Sequence, residues 1–146
     1  MQAHNCTSLV LHCIDFRFGK ALKNYLDDKG YAGDSDLVVV AGAVKNIVDP
    51  KEPTDAEFVL RQIDISKRLH EIKQVVLVNH TDCGAYGGRS AFNSKEDELN
   101  RHVGDLKKAA AMIHQKYPDV VVKLALAMIE PDGLIHIEEA PESIKV

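Results

Sequence analysis

The stretch "LVLHCIDFRF", Leu9 to Phe18, begins apolar at consecutive positions and then places a thiol, an acid and a base at alternate ones, Cys13, Asp15 and Arg17. A strand with one face in water alternates apolar and polar residues. A run without alternation belongs to a strand covered on both faces, as in a parallel sheet flanked by helices. Similar runs follow in "DLVVVA" (36–41), "QVVLVN" (74–79) and "VVVKLALAMI" (120–129). After the last of these, "EPDG" signals a turn, and "LIHIE" reads as the return strand of an edge hairpin.

Helical patterns lie between the runs. Residues 18–29 set Ala21, Leu22, Tyr25 and Leu26 on one stripe and stop at Gly30. Residues 54–69 open on Thr54 and Glu57 in capping-box spacing and place Ala56, Val59, Leu60 and Ile63 at helical intervals. From about residue 96 to 116, Leu99, Val103, Leu106, Ala110 and Ile113 face one way. Strand and helix in alternation predict one α/β domain over residues 1–146. It has three layers around a mostly parallel sheet of four strands in the order 2-1-3-4, plus a short edge strand after Gly133.

The chain has 146 residues, with 18 basic against 22 acidic side chains and a net charge of −4. That balance carries neither the basic footprint of a nucleic-acid binder nor a polybasic membrane patch. No apolar stretch approaches the roughly 20 residues a bilayer requires, and "MQAHNCTSLV" lacks the pattern of a secretory signal, so a cytoplasmic protein is expected. Three cysteines, Cys6, Cys13 and Cys83, are an odd number for a disulfide framework, and a reducing compartment leaves them as thiols.

Open α/β sheets bind ligands beyond the carboxyl ends of their strands. Cys13 directly follows the first strand, and "HTDCG", His80 to Gly84, follows the third. If those strands are neighbours, Cys13, His80 and Cys83 converge. Two thiolates and an imidazole suit zinc, which in catalytic sites takes three protein ligands and keeps one position open. A cysteine–histidine redox or nucleophilic pair is the competing reading, and it needs no third ligand. In a chain that stays extended, Asp15 and Arg17 point the same way as Cys13, and a guanidinium keeps such a carboxylate ionised and fixed in direction.

"CIDFR" and "HTDCGA" together resemble the paired signatures of the β class of carbonic anhydrases, a Cys-x-Asp-x-Arg segment and a His-x-x-Cys segment. The resemblance implies Zn2+ on Cys13, His80 and Cys83, with Asp15 and Arg17 as a catalytic dyad. It implies reversible hydration of carbon dioxide to bicarbonate by a zinc-bound hydroxide, in a homodimer or tetramer. In some members the aspartate closes onto the metal instead of resting on its arginine. The same fold and ligands serve hydrolases of carbonyl sulfide and carbon disulfide, and a non-catalytic zinc-binding homologue is the third reading.

The chain departs from the family pattern at Val39 and Val40, where a basic residue and an asparagine are usual before Ala41 and Gly42, and at Asn79, where glycine is usual. Valines in a pocket would favour sulfur-bearing substrates. The family's helical amino-terminal arm is not recognised ahead of the first strand, so a smaller subunit interface is expected. Tyr86 is placed in the pocket, the core or an interface; His4, His70, His102, His114 and His136 are read as ordinary, and a proton relay starting at Arg101 and His102 is not adopted.

Overall fold

The computed structural model describes residues 4–139. Five strands form one sheet: β1 (Ser8–His12), β2 (Ser35–Val39), β3 (Gln74–His80), β4 (Val121–Ile129) and β5 (Ile135–Glu139), in the order β2-β1-β3-β4-β5. The first four are parallel, and β5 returns antiparallel to β4 at one edge. This is the expected 2-1-3-4 arrangement with its edge strand. Four helices connect them: α1 (Gly19–Asp28), α2 (Lys45–Val48), α3 (Pro53–His70) and α4 (Lys95–Lys116).

Side chains of successive strand residues enter opposite layers, which is why the sequence shows no alternation. Leu9, Leu11, Val75 and Leu77 pack with Ile47, Val59, Ile63, Leu106 and Ile113 from α2, α3 and α4. Val10, Val76 and Val78 point the other way, against Phe18, Leu22, Tyr25 and Leu26 in and just before α1. All of the strand residues named are at most 2 % exposed.

Two local expectations change. The capping box of α3 is formed by Glu52 and Asp55, not by Thr54 and Glu57, because Pro53 occupies the first turn, where its missing N–H costs nothing. The chain also does not stay extended past Cys13. Asp15 caps a 3₁₀ turn, Phe16–Phe18, and its carboxylate accepts from the Arg17 backbone N–H at 2.9 Å.

Candidate metal centre

β1 and β3 are neighbours in register, so the segments leaving their carboxyl ends meet. Cys13 follows β1 directly, His80 ends β3, and Cys83 lies one short turn further on. That turn is held from two sides. Thr81 Oγ1 accepts from the Ile129 N–H of β4 at 2.8 Å, and the Asp82 N–H donates to Glu98 Oε2 of α4 at 2.7 Å. Asp82 itself takes a left-handed backbone, φ 55°, which turns Cys83 back toward Cys13.

The sulfur atoms of Cys13 and Cys83 lie 4.0 Å apart, and with a ring nitrogen of His80 all three donor atoms fall within 4.8 Å of one another. Two zinc–sulfur bonds of about 2.3 Å at a tetrahedral angle set sulfur atoms near 3.8 Å apart, so the pair is already close to that spacing. All three residues are buried, His80 to 1 % exposure. The His80 Nδ1 lies 2.8 Å from the Thr81 carbonyl, which can only accept, so Nδ1 carries the proton. Nε2 is left as a bare lone pair, buried and without a partner, the state a metal ligand requires. Phe18 stacks on the ring, centroids 4.9 Å apart, and fixes its plane.

The thiols titrate as a pair. The first proton leaves readily, because a Cys13 thiolate accepts hydrogen bonds from Cys83 and from the Gly42 N–H, the latter at 3.4 Å. The second is held, since the neighbouring thiolate and burial both push Cys83 upward. A cation between them relieves that repulsion. Gly42 must be glycine for its N–H to come so close: φ is +82°, and an added Cβ would meet the Ala85 Cβ at 2.8 Å.

Asp15 lies at the rim of the ligand set, its Oδ2 3.9 Å from His80 Nε2. The carboxylate pairs with Arg17, whose Nη2 donates to Oδ2 at 2.7 Å and whose Nε reaches both oxygens. Hydrogen bonding by that guanidinium holds the Asp15 carboxyl down to about 2. Arg17 is braced in turn by Asp82, through the carboxylate at 2.9 Å and the carbonyl at 2.8 Å. Asp82 was not singled out from the sequence, although it stands inside "HTDCG" beside a predicted ligand.

These groups open onto a cavity of roughly 680 Å³ whose apolar wall includes Ile14, Phe16, Ala41 and Ala85. Val39 and Val40 are not in its lining, and Val40 packs against the core under the opposite face of the sheet. Tyr86 belongs to the core. Its hydroxyl donates to Asp105 and accepts from Asn79, whose second amide proton goes to His102 Nδ1, while Arg101 pairs with the same Asp105. Burial pulls His102 down to about 4, so it stays neutral within this network. Asn79 thus ties the end of the His80-bearing strand to α4, a role no local signal in the sequence announces.

Residues 3–128 match the family model described as putative carbonic anhydrase. An uncharacterized protein of Rickettsia conorii is 30 % identical over 142 residues, covering 94 % of this chain and 75 % of that protein. Among solved structures, a carbonic anhydrase from Streptococcus mutans superposes with a TM-score of 0.60 at 18 % identity, over 95 % of this chain and 84 % of that one. A tetrameric β-carbonic anhydrase of Sordaria macrospora gives 0.57 at 15 % identity, over 94 % and 81 %. No described helix is long and apolar enough to cross a membrane. The chain belongs to the family described as putative carbonic anhydrase and has a divergent β-carbonic-anhydrase-like fold.

Proposed function

We propose that the protein is a zinc-dependent carbonic anhydrase that reversibly hydrates carbon dioxide to bicarbonate. The observation that carries this reading is the convergence of Cys13, Cys83 and a buried, unpartnered His80 Nε2 at one end of the sheet, with an ionised carboxylate at its rim. Zinc held by Cys13, His80 and Cys83 would lower the pKa of water toward about 7 and so supply a nucleophile in neutral solution.

The chain's own residues do the rest. Asp15 accepts the O–H hydrogen bond of the attacking water-derived group at a carboxylate oxygen and so aims its lone pair at the substrate carbon. Arg17 keeps that oxygen ionised and prevents the carboxylate from turning away, and Asp82 anchors Arg17. Ile14, Phe16, Ala41 and Ala85 give the cavity an apolar wall that suits a small uncharged substrate better than a charged one.

Residues 1–146 act as one domain in this proposal, and the reduced thiols suit the cytoplasm. A homodimer, singly or paired into a tetramer, accounts for Ile14 and Phe16, which stand 61 % and 89 % exposed at the cavity wall. The test presents zinc-loaded protein with carbon dioxide, carbonyl sulfide and carbon disulfide at neutral and alkaline pH. Hydration of carbon dioxide well above background supports the anhydrase. Sulfide release with little hydration replaces it with a sulfur hydrolase, and silence on all three replaces it with a binding role.

A further inference from the structure

Cys6, one of the three cysteines, has no place in the centre described above. It lies just before β1, at the amino ends of the parallel strands, whereas Cys13 lies at their carboxyl ends. Seven residues at about 3.3 Å each put the two cysteines roughly 20 Å apart. Around Cys6 the fold gathers two other donors, Asp36 from β2 and His70 from the last turn of α3. One donor atom from each of Cys6, Asp36 and His70 lies within 4.8 Å of the others.

We propose that Cys6, Asp36 and His70 form a second divalent-cation site, suited to zinc or a similar borderline transition metal. The donor set is one thiolate, one carboxylate and one imidazole, which such ions accept and which magnesium and calcium, preferring all-oxygen shells, do not.

The donors are positioned before any ion arrives. The Cys6 N–H donates to the His70 carbonyl at 3.1 Å, which fastens the segment ahead of β1 to the end of α3. Ser66 Oγ donates to Asp36 Oδ2 at 2.6 Å and orients the carboxylate. His70 Nδ1 sits 2.6 Å from that same oxygen. Metal–ligand bonds of about 2.0–2.2 Å at a tetrahedral angle separate nitrogen and oxygen by about 3.3 Å, so sharing one ion requires that contact to lengthen by under an ångström. A neighbouring cavity of roughly 260 Å³, lined by Asp36, Ser66 and His70 among others, gives an ion access. The ring of His4 lies beside that of His70, centroids 5.0 Å apart.

The same three residue types also build nucleophilic thiol sites, but the local electrostatics oppose that use. Burial and the Asp36 carboxylate raise the Cys6 thiol, which keeps it protonated and unreactive where an activated cysteine is lowered. A metal ion reverses this by displacing the proton.

The test counts zinc. Purified protein is dialysed against Zn2+ in excess, washed and analysed for metal, alongside Cys6→Ser, His70→Asn and the double variant Cys13→Ser/Cys83→Ser. Two equivalents are expected in the parent chain and one in each of the other three, with affinity for the second equivalent falling at least tenfold in Cys6→Ser. Cobalt supplies a readout that does not depend on the first centre. In Cys13→Ser/Cys83→Ser, bound Co2+ should show a thiolate charge-transfer band that disappears on adding Cys6→Ser. A Cys13→Ser/Cys83→Ser chain that binds no zinc overturns the site. So does a second equivalent that survives Cys6→Ser and His70→Asn, or a cobalt band indifferent to Cys6.

Discussion

In the proposed reaction, Asp15 and Arg17 would act on the nucleophile while Cys13, His80 and Cys83 would hold the metal. Asp15→Asn preserves size but removes the charged oxygen that would accept the hydrogen bond of the nucleophile, while Arg17 stays anchored on Asp82. Carbon dioxide hydration should therefore fall by about 10²–10⁴ with zinc content unchanged by elemental analysis. Cys13→Ala should lose zinc and activity together. The Asp15 carboxyl is held down to about 2, so its charge persists above that pH and is lost only as pH falls through it. Any stability it contributes is complete above the unfolded value of about 3.9 and disappears over the same interval. In Arg17→Gln the titration should move up toward about 4, read from the carboxyl carbon resonance of Asp15 in metal-free protein.

The parallel strands were legible because burial on both faces leaves an unbroken apolar run, and no neighbouring context has to be known to read it. The cysteine–histidine cluster was legible for a related reason: its members sit at the ends of those runs, where adjacency of two strands suffices to bring them together. The turn at Asp15 was not legible. Nothing in "CIDFR" distinguishes an extended chain from a 3₁₀ turn until the carboxylate finds the Arg17 N–H. Cys6, Asp36 and His70 were equally hidden, since they come from three distant segments with no shared spacing, and Asn79 depends on partners just before α2, in α4 and in the loop after β3. At this scale α4 offers a direct test. Ser94 Oγ accepts the Asp97 N–H at 3.0 Å and caps the helix, so Ser94→Ala should cost about 1 kcal/mol in denaturant unfolding. Gly42→Ala, by contrast, should both destabilise the fold and weaken zinc affinity, because the displaced backbone carries the N–H that meets the Cys13 sulfur.

Across the whole molecule, the sheet joins two layers of unequal thickness, three helices on one side and α1 on the other. The thinner side carries the cavity and the exposed Phe16, and a partner subunit there would complete what one chain leaves open. Sedimentation at micromolar concentration should therefore give a species of twice 16.1 kDa or more. Cys13 and Cys83 are also 70 residues apart in the chain. Their meeting waits on the β1–β3 pairing, which must close a long loop, and we expect that closure to follow the folding barrier. An ion that needs both sulfurs then finds no complete cradle in the early stages, and its grip is felt on the native side of the barrier. Stopped-flow traces with zinc and with chelator should share one refolding limb and differ in the unfolding limb, slower with metal. A growing chain that has made β1 but not yet β3 carries Cys13 without His80 or Cys83, so a metal held by all three would load only after synthesis has passed Cys83.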